Sequence, residues 1–356
     1  MSCRSRTLHL NSPPLAERPQ MSMLPQAAGT RMQWMDGVRG TAILLLLLWH
    51  SSAVPEMYGV QIPDYLRTIN AFFLPYRMPT LMLLSGMLLT RSLDKPLPKY
   101  YAGKFAMILW PYLVWVLIAK GVFLNIEGMP WWHWRAWYAT SYLWFLFFIG
   151  VYYFFAPLFK HLPSWIPIGL AGAIGVLLPY GSVEQRMGYY AIFFFAGSAL
   201  SRYPEVLRKL TTRRLAFTFG FVAVLFGVAA ALWTAQLQFL VWGAPLSIAG
   251  GLALMSLYSK LSQGGKFMRT MQFLGRSSLI FYVSHFPLMT LISRTPLADF
   301  SPVLVTLANL VAAVAIGTVL ALLKHQVPIK WFFQAPDTLS KAIAALLGIG
   351  RRRQPA

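Results

Sequence analysis

The chain is short of cysteine and of charge. Cys3 is its only cysteine, which excludes an intrachain disulfide and a cysteine metal site. Only 12% of its 356 residues are charged, and Asp and Glu number 10 against 31 Lys and Arg. With 57% hydrophobic residues and a mean hydropathy of +0.55, so little charge excludes a soluble domain built around one core. No internal repeat is visible. Residues 1–30 are polar and proline-bearing, lack the apolar core of a signal peptide and read as a disordered tail.

Long apolar runs are what the chain has instead. Ten are long enough to cross a hydrocarbon core of about 30 Å: 37–54, 66–89, 105–124, 141–159, 165–181, 187–201, 215–234, 239–257, 273–293 and 301–323. The expectation is an all-α fold: a polytopic membrane helical bundle of about ten transmembrane helices over residues 31–325, followed by a basic C-terminal tail, 326–356. The net charge of +21 raises nucleic acid as a partner, but its distribution excludes that class. Basic residues gather in alternate loops, among them Arg91, Lys95, Lys99, Lys104, Arg208, Lys209, Arg213, Arg214, Lys260, Lys266, Arg269 and Arg351 to Arg353; the opposite loops hold Arg67, Arg135, Arg186 and Arg294. This asymmetry puts both termini in the cytoplasm and makes the basic charge a matter of topology and of contact with the lipid bilayer.

Chemistry enters where ionisable residues interrupt the apolar runs. Asp36-Gly37-Val38-Arg39-Gly40 opens the first, and His50 lies deep in it. On a helix Arg39 and His50 are about three turns and roughly 16 Å apart on one face, with Asp36, Ile43 and Leu47 near the same stripe. Ionisable groups in hydrocarbon are costly and turn toward protein or a wet cavity. Arg77 stands near the middle of the second run, between Pro75 and Pro79 and ahead of Ser85-Gly86; it either pairs with a carboxylate to fix packing or binds an anionic ligand. Lys104 precedes the third run as an interfacial anchor or a phosphate contact. Trp131, Trp132, His133, Trp134, Arg135, Trp137 and Tyr138 crowd one outer loop; they suit the membrane–water belt or a glycan face. Gly275, Ser278, Tyr282 and His285 recur at helical spacing in the ninth run and form a second polar stripe.

Together these segments resemble the acyltransferase 3 family of integral membrane proteins. The resemblance is carried by Asp36 to Gly40 with the apolar run to His50, by Met78-Pro79 leading to Ser85-Gly86, by Leu143-Trp144-Phe145-Leu146, and by Gly275 to His285. Arg77 ahead of Met78-Pro79 is similar to an inner-membrane branch of that family, which implies a multi-pass protein of the cell inner (plasma) membrane. The resemblance implies O-acylation, often acetylation, of a cell-surface glycan or an exported small molecule. It also implies cytosolic acyl-CoA (acetyl-CoA by default) as donor co-substrate, with no permanently bound cofactor and no metal. Carried over by position, Arg39 and His50 are the essential pair. Asp36, Arg77, Ser85, Lys104, Trp144, Ser278, Tyr282 and His285 are candidate substrate-binding residues. One departure stands out: the family's basic pair before the proline of its third helix is here Lys104 alone, with Ile108 at the second position and Pro111 following.

The residues support this chemistry directly. A neutral His50 is a suitable base for a hydroxyl attacking a thioester, Arg39 suits coenzyme A phosphate or a pantetheine oxygen, and Arg77 or a hydroxyl of the ninth run suits the oxyanion. No Ser or Cys stands beside His50 in a nucleophile motif, which favours direct transfer over an acyl-enzyme. Two other classes fit the composition: a transporter or flippase of a lipid-linked glycan, and a non-catalytic scaffold. The lack of matching broken helices in two halves argues against the first.

Overall fold

A computed structural model describes residues 32–122, 130, 132–233, 237–261, 264–296 and 301–349. The tail 1–30, Trp131 and the run Arg351 to Arg353 lie outside these residues. Among the described residues the regular structure is helical throughout. The main helices are α1 (Gln33–Met57), α2 (Asp64–Met87), α3 (Leu97–Lys104), α4 (Trp110–Val122), α5 (Trp144–Phe155), α6 (Trp165–Leu177), α7 (Val183–Arg202), α8 (Arg213–Leu232), α9 (Ala244–Lys260), α10 (Lys266–Arg276), α11 (Ser278–Ser293), α12 (Pro302–Leu323) and α13 (Asp337–Ile349). Among their described residues the ten apolar runs are mostly helical. Among the described residues, seven segments are long and apolar enough to cross a membrane: 33–57, 64–93, 97–121, 141–159, 213–232, 241–260 and 302–323. The apolar helices α6 and α11 are shorter; α7 has the length but carries Glu184, Arg186 and Arg202 toward its ends.

The bundle is organised around α1. It packs against α2, α9, α10, α11 and α12, and its interior stripe is what the apolar–ionisable pattern predicts: Ile43 and Leu47 are buried together with Asp36 and His50. Two close helix crossings set the geometry. A Cβ on Gly40 would stand 1.9 Å from the Met271 carbonyl oxygen, and one on Gly275 would stand 1.8 Å from that of Asp36. Glycine therefore lets the α1 and α10 backbones touch. Gly86 and Gly197 repeat the arrangement between α2 and α7, at 1.8 Å from Phe194 O and 2.0 Å from Leu83 O. By contrast α8 and α12 are largely uncovered and present apolar side chains such as Phe217, Phe221, Val311 and Leu322 outward, as lipid-facing helices do.

The ninth run is not one helix. It breaks at Ser277 (φ −109°, ψ 18°), so α10 ends at Arg276 and α11 begins at Ser278. Gly275 and His285 thus lie on different helices. Gly275 serves the α1 crossing, and α10 is amphipathic, burying Met268, Met271 and Leu274 while Lys266, Arg269 and Arg276 stay exposed.

Prolines inside the helices leave carbonyls without a helical donor. Pro287 frees Val283 O, which accepts from Tyr142 Oη at 2.8 Å. Pro55 frees Ser51 O, which accepts from Asn309 Nδ2 at 3.4 Å. Buried backbone is satisfied by neighbouring helices, as hydrocarbon requires. Before Pro111 the chain makes a π-helical turn, Phe105–Leu109, with Trp110 N–H reaching back to Phe105 O. Ala106 O is left to accept from Ala335 N–H at 3.0 Å. The segment read as a basic tail is docked there: Trp110 Nε1 donates to Trp331 O (2.7 Å) and Trp115 Nε1 to Phe332 O (2.9 Å), and α13 lies against α3.

Candidate active site

The two deep histidines, 235 positions apart in the chain, meet. His50 Nδ1 is 3.1 Å from His285 Nε2, and His285 Nδ1 is 3.0 Å from Phe281 O one turn earlier in α11. The hydrogen-bond network assigns the protons of the neutral pair. Phe281 O can only accept, so His285 Nδ1 carries the N–H. His285 Nε2 then offers a lone pair, and His50 Nδ1 must donate to it. His50 Nε2 is left as the unprotonated nitrogen. The Leu46 carbonyl, one turn back on α1, also faces the His50 ring, consistent with an N–H at Nδ1. Both rings are buried, His285 at 0% and His50 at 6% exposure, so His50 is the less enclosed of the two.

Aromatic side chains hold the pair. Tyr142 stacks on Phe286 at 4.6 Å with an interplanar angle of 5° and meets His285 edge-on at 5.7 Å. Its hydroxyl takes the carbonyl freed by Pro287, while the hydroxyl of Tyr282 donates to Tyr142 O. Tyr142 thus donates to Val283 O and accepts from Tyr282, and the two bonds lock the start of the fourth apolar run to α11. Tyr282 has a structural partner in Tyr142 O and its ring lies 6.3 Å from that of His285. Trp144 stands elsewhere: half-buried, it lies 4.8 Å from the Tyr190 ring and 5.2 Å from Phe148. Ser278 is a half-buried residue at the first turn of α11, about two turns from His285.

Trp49 links the histidines to Arg77. Its ring centroid is 4.1 Å from that of His50, and the Arg77 guanidinium carbon stands 4.3 Å above it. Arg77 is buried and donates from Nη1 to Asn70 O at 3.2 Å. Among the described residues it has no carboxylate partner. Beside this contact lies a cavity of about 300 Å³ lined by Trp49, Glu56, Arg67, Asn70, Arg77 and Gln238. Its Glu56 and Arg67 are partly exposed and paired at 2.8 Å.

The other end of the stripe is basic. Arg39 Nη1 is 4.0 Å from Asp36 Oδ1, and Arg39 lies within electrostatic reach of Tyr153. Lys104 Nζ is 3.5 Å from the centre of the Tyr153 ring and donates to Ser92 Oγ at 3.0 Å. Tyr153 Oη donates to Ser85 O at 2.8 Å, and the Ser85 hydroxyl turns back to Leu81 O at 2.7 Å. Arg39, Lys104 and Ser85 are thus gathered around one tyrosine. The candidate residues form two clusters, His50–His285–Arg77 and Asp36–Arg39–Lys104–Ser85, about three helical turns apart along α1. Tyr142, Tyr153 and Trp49 are the members sequence reasoning missed. Tyr142 could have been found from Pro287, whose orphaned carbonyl demands a donor.

A family model, the acyltransferase domain, matches residues 32–323. The chain belongs to the acyltransferase 3 family. As a member of this acyltransferase family with many apolar helices, it is a multi-pass membrane acyltransferase. The match takes in both clusters and ends at the last residue of α12, ahead of the docked C-terminal segment. No curated protein and no solved structure matches the chain.

Proposed function

We propose that the protein moves an acyl group, acetyl in the simplest case, from acyl-CoA to a hydroxyl of a cell-surface or exported glycan, with His50 as general base. The observation that carries this reading is the directed histidine pair. Phe281 O, His285 and His50 form a chain of donors and acceptors whose last member is a lone pair on His50 Nε2.

In this reading the acceptor hydroxyl gives its proton to His50 Nε2 as its oxygen bonds to the thioester carbonyl carbon. The tetrahedral intermediate collapses, the carbon–sulfur bond breaks, and the coenzyme A thiolate leaves with the proton returned by His50. His285 is a positioning residue. It fixes the tautomer of His50 by accepting from Nδ1 and shares the charge while the ring is protonated. No acyl-enzyme is needed.

The donor comes from the basic face, taken as cytoplasmic. Arg39 and Lys104 bind its phosphate or pantetheine oxygens, with Asp36 orienting Arg39. The three turns between Arg39 and His50 are a distance an extended pantetheine arm covers. The acceptor comes from the opposite face, by way of the cavity at Trp49 and Arg77. That the basic pair of the family is reduced to Lys104 here is met by Arg39, which shares Tyr153 with it.

The test is transfer of labelled acetyl from acetyl-CoA into glycan by membranes carrying the wild type or His50→Ala. Label in the glycan with the wild type and none with His50→Ala, at equal amounts of folded protein, supports the assignment. Full transfer by His50→Ala rejects it.

A further inference from the structure

We propose that the acceptor carries an acidic group, a carboxylate or a phosphate, and that Arg77 binds it in the cavity beneath Glu56 and Arg67. The acceptor role rests on the acyl-transfer reading above; the preference for an anion rests on the surroundings of Arg77.

A guanidinium at membrane depth is costly unless a counter-charge or water compensates it. Arg77 has no carboxylate within salt-bridge distance among the described residues, is only 2% exposed, and lines the cavity. One of its five N–H donors goes to Asn70 O, and its plane lies over Trp49. The acid lining the same cavity, Glu56, is engaged by Arg67 through Nε at 3.0 Å and Nη2 at 2.8 Å, and Arg67 also reaches Asp64 at 3.1 Å. Both acids, Glu56 and Asp64, are thus engaged by Arg67, and the buried cation at the bottom is left to the cavity's occupant.

The cavity's own chemistry fits that occupant. Asn70, Gln238 and Ser52 line it with neutral hydrogen-bonding groups, as a sugar ring needs. Its volume of about 300 Å³ is at the lower bound of small-molecule sites and accepts about one sugar residue. Arg77 and His50 both contact the indole of Trp49, which lines the cavity, so a sugar whose anion sits on Arg77 is held one indole away from His50. Remote binding energy at Arg77 is thereby converted into orientation at the reacting oxygen. A purely structural Arg77, holding α2 to α1 through Trp49, would be indifferent to anions.

The test uses the full-length protein in detergent and three probes of similar size: glucuronate, glucose 1-phosphate and glucose. Ligand-induced shifts in melting temperature, titrated with each, give apparent affinities. At least one anionic probe should bind roughly tenfold or more tighter than glucose, the worth of one charge-assisted contact. The stronger of the two names the group as carboxylate or phosphate. Arg77→Gln should level the three probes. If that variant does not fold, Ala71→Trp, which fills the cavity, should abolish the preference instead. Equal binding of all three by the wild type, or an anion preference that survives either folded variant, overturns the proposal. Because the readout is binding, His50→Ala should keep the preference. A wild-type preference for anions alongside unchanged transfer in His50→Ala would reject the acyl-transfer mechanism and leave the anion site standing.

Discussion

The two ends of the polar stripe on α1 are built on opposite plans. At the His50 end the partners are neutral and directional: a carbonyl fixes His285, His285 fixes His50, and a stacked tyrosine and phenylalanine prevent either ring from turning. At the Arg39 end the groups themselves are charged. Arg39 and Asp36 stand 4.0 Å apart, and Lys104 rests on the face of Tyr153. The first plan suits a step that needs one proton at one nitrogen. The second suits a flexible polyanion that must arrive and leave. The difference implies that damage at the histidine end falls on kcat and damage at the basic end falls on KM.

The largest expected effect is at His50. His50→Ala removes the proposed base and should lower kcat by roughly 10² to 10⁴-fold, measured as acetyl transfer by purified protein at saturating acetyl-CoA. A KM effect with kcat intact would break the comparison at its strongest point. His285→Ala should come next, lowering kcat by roughly 10 to 10²-fold with KM for the donor unchanged, because His50 survives but its tautomer is no longer set. His285→Gln presents a side-chain oxygen that can accept from His50 Nδ1 and should recover part of the loss. An alanine variant no worse than glutamine would reduce His285 to packing.

The third prediction concerns what holds the two ends on one helix. Gly40→Ala adds a Cβ against the Met271 carbonyl, 1.9 Å away, whereas a Cβ on Gly172 would meet nothing nearer than 3.9 Å. Gly40→Ala should cost about 1–3 kcal/mol of stability through overpacking, read as a lower midpoint in thermal unfolding. Gly172→Ala should be near neutral. Because Gly40 adjoins Arg39, the shift it forces should raise donor KM before it touches the chemistry at His50.

How much of this was legible in the sequence divides along the same line. The α1 stripe was legible because charge in an apolar run has few places to go, and residues on one helix carry their spacing with them. The partnership of His50 with His285 was not, because two helices 235 positions apart can be set side by side only by the whole bundle. Reading Gly275 to His285 as one stripe failed at Ser277, where α10 turns into α11; the glycine had a different task, contact with the backbone at Asp36. The resemblance points to Trp144, whereas the residue of that segment whose ring meets His285 is Tyr142, and the reason lies in Pro287 on another helix. The C-terminal segment read as a tail because its composition is basic, while the carbonyl that docks it was created by a π-helical turn before Pro111.

The smallest expected effect tests the basic end. Lys104 is half-buried and donates to Ser92, yet its ammonium sits on an aromatic face without a carboxylate in the ion pairs of the described residues. If it meets donor phosphates, Lys104→Ala should raise the KM for acetyl-CoA by about three- to tenfold and leave kcat unchanged, the modest worth of one partly solvated charge contact. Arginine at that position should restore binding incompletely, since a planar fork does not reproduce the seat of an ammonium over Tyr153. Salt separates this role from a structural one. Raising ionic strength screens phosphate contacts, so the wild-type KM should climb with salt and the Lys104→Ala KM should climb less, the two converging at high salt. Parallel slopes would mean that Lys104 only anchors α3 to Ser92 and that Arg39 meets the donor alone.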